Sequence, residues 1–182
     1  PFTYRLQGGS SLTVRIKVDQ KIDFVRATNV IGMFKGTDAP DEWIILGCHL
    51  DSWGFGATDP SSGTAMLLSL SQTLGKLKDE GYSPKRSILI GHWDAEEHGV
   101  IGSTEWVEQM REELNAKGVI YMNFDGAVSG KGFGVSSAPT LKKLLVEASK
   151  DVKYPYTDQS LYDFWNKENK NEPPIGNLGG GS

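Results

Sequence analysis

WIILGCHLDSWGFGATDPSSGTAM, residues 43–66, holds the change of period on which the reading of the whole chain turns. Trp43 to Cys48 is an unbroken apolar run closed by His49, the pattern of a strand buried on both faces. A glycine-rich turn follows, and from Ser61 the apolar residues change spacing. Ala65, Leu67, Leu68, Leu70, Leu74 and Leu77 fit a helix apolar around much of its girth, stopping near Gly81 and Pro84. Strand, turn and helix in that order are the first half of a parallel crossover unit.

Working outward, the unit repeats. SILIGHW (Ser87 to Trp93) reads as a second buried strand, and GSTEWVEQMREELNAKG as a helix with Ser103 or Thr104 as cap and Gly118 as stop. VIYMNF (Val119 to Phe124) is a third buried strand, and PTLKKLLVEASKDVK, from Pro139, a third long helix. This alternation predicts an α/β fold, a mostly parallel sheet with helices on both faces. Upstream, Leu12, Val14, Ile16 and Val18 alternate with Thr13, Arg15 and Lys17, as in a strand with one wet side. Phe24 to Phe34 is a second β-rich run, Gly36 to Asp41 is loop, and these opening strands extend one sheet edge. After Lys153 the pattern weakens to a short helix at SLYDFWNKE and loop throughout NKNEPPIGNLGGGS.

The 182 residues suit one domain, and 38% hydrophobic residues supply a core, which excludes wholesale disorder. With 23 acids against 19 bases there is no basic stripe for nucleic acid. The one cysteine, Cys48, excludes an internal disulfide and a multi-cysteine zinc site, and it reads as inert core. No apolar run approaches the ~18 residues of a membrane span.

The chemistry collects at strand ends. His49 and Asp51 close the first buried strand, Asp59 lies in the turn beyond it, Asp94, Glu96 and Glu97 follow the second, and Asp125 ends the third. Ligands of open α/β sheets bind beyond the carboxyl ends of strands. Carboxylates and a histidine converging there repel one another unless cations sit among them, so a metal site is the economical reading. Zinc accepts imidazole nitrogen and carboxylate oxygen, and two close metals can share a bridging carboxylate. Of the adjacent pair Glu96-Glu97, one can ligate while the other serves as general base. His92, inside a buried strand, reads as a satisfied core residue, and His98 as a residue that could line the cleft. The glycines at 54, 56 and 63 lack nucleotide-binding spacing.

The blocks HLDSWGFGATDPSSG, WDAEEHGVIGSTEW and NFDG strongly resemble the zinc exopeptidases related to glutamate carboxypeptidase II and the transferrin receptor, from about Thr3 to Ser182. The resemblance implies that His49 and Asp125 hold one zinc, Glu97 the second, and Asp59 bridges both, followed by a cis peptide at Asp59-Pro60. It makes Glu96 the catalytic acid/base and Asp51 the carboxylate that orients His49. It implies two zinc ions in the complete site, a peptide substrate, and a further histidine ligand downstream of NLGGGS. Residues 1–182 are then one partial peptidase domain without the inserted protease-associated domain or the C-terminal dimerisation domain, and inactive by themselves. The whole protein is expected to be a homodimer placed extracellularly, in the periplasm or as a membrane-anchored ectodomain. Calcium near Glu105 and Glu108 belongs to the full-length relatives. An aminopeptidase with the same metal core, or a non-catalytic receptor-like module, stays open beside the carboxypeptidase reading.

Overall fold

The computed structural model describes residues 8–169, 175–179 and 181. The first residues of the resemblance, from Thr3, and parts of the NKNEPPIGNLGGGS loop lie outside them. Four strands form the main sheet: β1 (Val30–Phe34), β2 (Ala39–His49), β3 (Arg86–Trp93) and β4 (Gly118–Asn123), in the order β1-β3-β2-β4. β2 runs parallel to β3 and β4, while β1 closes the β3 edge antiparallel. Helix α1 (Ser61–Asp79) links β2 to β3, and α2 (Ile101–Gln109) with α3 (Arg111–Lys117) links β3 to β4.

Alternation along β2 divides the core. Leu46 and Cys48 face one side, where they meet Ile90 and Leu67 of α1. Trp43 and Ile45 face the other, with Leu89, and pack against Trp106 of α2, Met110 at the junction and Leu114 of α3. The chain is thus mixed α/β, with a mostly parallel sheet and helices on both faces. A smaller set follows: β5 (Val135–Ser136) pairs with β6 (Ile175–Gly176), and a 3-10 turn at Pro139–Leu141 leads into α4 (Lys142–Asp151) and then α5 (Leu161–Glu168). In α5 the Ser160 hydroxyl caps the Asp163 N–H at 3.0 Å, and Trp165 is buried against Phe133.

Several expectations need correction. Leu12 to Val18 forms no strand: the four apolar side chains are 64–81% exposed, because a strand needs an edge to pair with and none meets this one among the described residues. Only Val30–Phe34 of the second β-rich run is strand, and Phe24 and Val25 are exposed. Helix α1 buries one face rather than most of its girth: Gly63 and Leu67 are buried with Met66, Leu70 and Leu74 packed alongside, but Leu68 and Leu77 face outward, since one sheet face is all it covers. β4 is half-exposed, as an edge strand must be. The helix expected over residues 102–118 breaks at Met110, and its start is Val100 rather than a Ser103 or Thr104 cap. Gly102 explains that start, because a Cβ there would stand 2.3 Å from the Asp94 carbonyl oxygen. The loop expected after Glu168 contains the short β6. His92 is not satisfied: its buried Nδ1 has no hydrogen-bond partner among the described residues, and burial pushes its pKa down.

Candidate metal centre

The ends of β2, β3 and β4 bring the acids to one edge of the sheet. His49, last residue of β2, is fully buried. Its Nδ1 lies 2.9 Å from the Asp51 backbone carbonyl, so Nδ1–H donates there and the Nε2 lone pair faces the other way. That lone pair meets Asp59 Oδ1 at 2.9 Å and Asp125 Oδ1 at 3.0 Å, with Glu96 Oε2 at 3.9 Å. A lone pair aimed at two carboxylates is repulsive unless a proton or a metal ion lies between them.

The protonation balance reflects this crowding. Burial works against charge on His49, but the hydrogen bond and charge of Asp125 outweigh it and raise its pKa. Asp59 is raised by desolvation and then by Asp125, against the pull of His49. Glu96 is raised by desolvation, with His49 again opposing and the Asp125, Glu97 and Asp51 charges adding. One ligand atom from each of His49, Asp59 and Asp125 lies within 4.8 Å of the others. One imidazole nitrogen and two carboxylates are a donor set that zinc accepts, so these residues fit the metal.

The remaining residues fall into distinct places. The Asp51 carboxylate stands 3.6 Å from His49 Nδ1, and it accepts the backbone N–H groups of Glu96 at 2.9 Å and Glu97 at 3.2 Å. Asp51 therefore orients the histidine through its carbonyl and fixes the glutamate pair through its side chain. Ala95 and Val100, on either side of that pair, both hold left-handed backbone at φ 56 and 58. For alanine and valine such backbone costs on the order of 1–3 kcal/mol each, and the Asp51 bonds help to hold it. Glu97 is not part of the three-residue cluster; its Oε1 accepts the Trp53 N–H at 3.4 Å. Asp94 does not join the acids at all. Its carboxylate accepts the N–H groups of Thr28 at 2.7 Å and Ala95 at 2.9 Å, which pins the start of β1 to the end of β3.

Asp59-Pro60 is cis. Thr64, in the first turn of α1, donates to the His49 carbonyl at 3.0 Å and joins the helix to the end of β2. Cys48 is buried beside Thr64 and the Pro60 carbonyl, and burial pushes its thiol pKa up. Sequence reasoning missed Asn29, whose amide accepts the Asp94 N–H at 3.0 Å and donates to the Gly102 carbonyl at 2.8 Å. Nothing in sequence links residues that far apart. It also missed Trp53, whose ring lies tilted against His98; a large aromatic next to a ligand-bearing turn was the available signal.

Known proteins have related sequences and folds. The chain is 49% identical over 138 residues to a probable glutamate carboxypeptidase of Arabidopsis thaliana, covering 75% of this chain and 20% of that protein. A probable glutamate carboxypeptidase of Zea mays is 46% identical over 145 residues, covering 79% and 20%. The chain thus spans about a fifth of the length of the curated relatives it matches. Among solved structures, a peptidase M28 precursor from Shewanella amazonensis superposes with a TM-score of 0.55 at 30% identity, over 67% of this chain and 27% of that one. A zinc aminopeptidase from Bacillus subtilis superposes with a TM-score of 0.57 over 84% of this chain and 35% of that one, and at 20% identity this shows a shared fold. The sequence profile of peptidase family M28 matches residues 29–172, a span that runs from Asn29 through every residue of the metal cluster, and the chain belongs to that family.

Proposed function

We propose that this chain carries the catalytic α/β unit of a zinc exopeptidase that hydrolyses peptide bonds at the carboxyl end of its substrate. The observation that supports it is the meeting of His49 Nε2, Asp59 and Asp125 at 2.9 and 3.0 Å, with Glu96 at 3.9 Å from the same nitrogen. In this reading His49, Asp59 and Asp125 hold one zinc, and Glu97 with Asp59 holds a second. When bound, zinc supplies Lewis acidity that polarises the scissile carbonyl and lowers the pKa of the attacking water.

The chain's own groups do the rest. Asp51 keeps His49 in the tautomer whose Nε2 can ligate and holds the Glu96-Glu97 backbone in place. Glu96 takes the proton of the attacking water on its carboxylate and delivers it to the amine nitrogen as the C–N bond breaks. The names of the two plant relatives support the carboxypeptidase over the aminopeptidase reading. Homodimerisation, an extracytoplasmic location and a calcium site in the whole protein belong to the same proposal and rest on the resemblance alone.

Elemental analysis of the purified whole protein should find two zinc ions per subunit. Dipeptides with a free α-carboxylate should be hydrolysed, and the same dipeptides amidated should not. Hydrolysis that instead requires a free α-amine would replace this reading with the aminopeptidase one. Absence of both zinc and hydrolysis would leave the receptor-like module.

A further inference from the structure

The turn between β2 and α1 raises apolar surface beside the metal centre that hydrolysis itself does not use. Trp53 is 68% exposed, and Leu50 and Phe55 of the same turn are exposed as well. Trp43, Trp93 and Trp165, by contrast, are buried. The Trp53 ring is not loose. It lies against the His98 imidazole with centroids 5.2 Å apart and planes at 37°. Its backbone N–H reaches Glu97 Oε1, so the residue is tied at its base to an acid beside the metal cluster. A large aromatic side chain that is exposed yet held in position is the usual anchor of a recognition surface.

The chemistry of the ring narrows what can bind. Asp51, Asp59, Glu96, Glu97 and Asp125 gather at the same sheet edge, but the zinc ions they would hold offset that charge, so selection beside Trp53 falls to the ring itself. An aromatic side chain loses water against the indole and can adopt the offset or edge-on contact that ring pairs favour.

We infer that Trp53, braced by His98, forms a specificity subsite for an apolar, above all aromatic, side chain of the peptide residue flanking the cleaved bond. What is cleaved rests on the exopeptidase reading; the recognition surface does not. Trp53→Ala removes the ring and leaves the backbone bond to Glu97, and the exposure of the ring means that little core is lost.

The test uses the whole protein and two measurements. In steady-state hydrolysis of dipeptides differing only in Phe or Ala beside the cleaved bond, Trp53→Ala should raise KM for the Phe peptide by about tenfold. The Ala peptide should change less than about threefold, and kcat should hold for both. Separately, tryptophan fluorescence is titrated with N-acetyl-phenylalaninamide, with N-acetyl-alaninamide as control. A saturable change with the phenylalanine compound alone, lost in Trp53→Ala, is expected. Where hydrolysis is measurable its Phe/Ala ratio decides, and where it is not the fluorescence decides. A fluorescence response that needs Trp53, in a protein that hydrolyses nothing, keeps the subsite and removes the exopeptidase reading. An unchanged Phe/Ala ratio, an equal loss on both peptides, or a Trp53-dependent preference for Lys or Glu peptides overturns the subsite.

Discussion

Two stretches of this chain carry strong apolar patterns and end in opposite places. Trp43 to His49 lies between two parallel neighbours, and Trp43, Ile45, Leu46 and Cys48 are at most 7% exposed. Leu12 to Val18 alternates just as cleanly, yet Ile16 is 81% exposed and the segment pairs with nothing among the described residues. β4 stands between the extremes: one edge is paired with β2, while Val119 and Tyr121 remain 54% and 43% exposed. An alternating pattern says what a face could bury; a neighbour decides whether it does. The candidate metal cluster exists where the neighbours exist: His49 ends β2, Asp125 follows β4, and Asp59 sits in the turn that enters α1.

The largest effects are expected at that cluster. Glu96→Gln keeps the size of the side chain but cannot take a proton, and kcat should fall about 10²–10⁴-fold with metal retained. Glu97→Ala should act by another route, losing zinc and regaining part of its activity in excess metal, since under the proposed roles it removes a ligand rather than a base. Metal content and kcat measured side by side check both. Zinc lost from Glu96→Gln and kept by Glu97→Ala would mean that the two roles are exchanged. Unchanged turnover in both would remove the catalytic reading.

A smaller effect separates two glycines of α1. The start of this helix lies against the end of β4 so closely that a Cβ on Gly63 would stand 1.7 Å from the Phe124 carbonyl oxygen, next to Asp125. Backbone cannot yield as a flexible side chain can, so Gly63→Ala should destabilise by about 2 kcal/mol or more and weaken metal binding by moving Asp125 from Asp59. Gly75, three turns on in the same helix, has nothing within 4 Å of a Cβ. Gly75→Ala should stabilise by about 0.5–1 kcal/mol, because alanine loses less backbone freedom on folding. Denaturant midpoints and zinc affinity of the two variants check the pair. Equal effects at both positions would show that the helix start does not position Asp125.

The buried strands and the helices between them were legible in sequence because long apolar runs and a switch of period leave little choice of element. The strand ends then marked His49, Asp51, Asp59, Glu96, Glu97 and Asp125 as one group. Three kinds of feature were out of reach. The early start of α2 depends on the fit of Gly102 against Asp94, a contact made only in the folded chain. Asp94 looked like a site acid, yet it is taken up by backbone N–H groups, a choice set by where β1 docks. The orientation of His49 by a backbone carbonyl rather than by the Asp51 carboxylate has no signature in side-chain identity.

The smallest expected effect tests the comparison most directly. If the Leu12 to Val18 segment has no partner face, its side chains contribute little to folding whatever their pattern. Ile16→Ala should then shift the unfolding free energy by less than about 0.5 kcal/mol, as exposed substitutions usually do. Leu46→Ala, in the buried counterpart, should cost about 2–5 kcal/mol through lost burial and the cavity it leaves. The two are measured in one denaturation series, with slopes compared so that any change in the unfolded state is seen. A cost above about 1 kcal/mol for Ile16→Ala would mean that the alternation is paired after all. The strand would then belong to a sheet edge, and the contrast with β2 would shrink to one of degree.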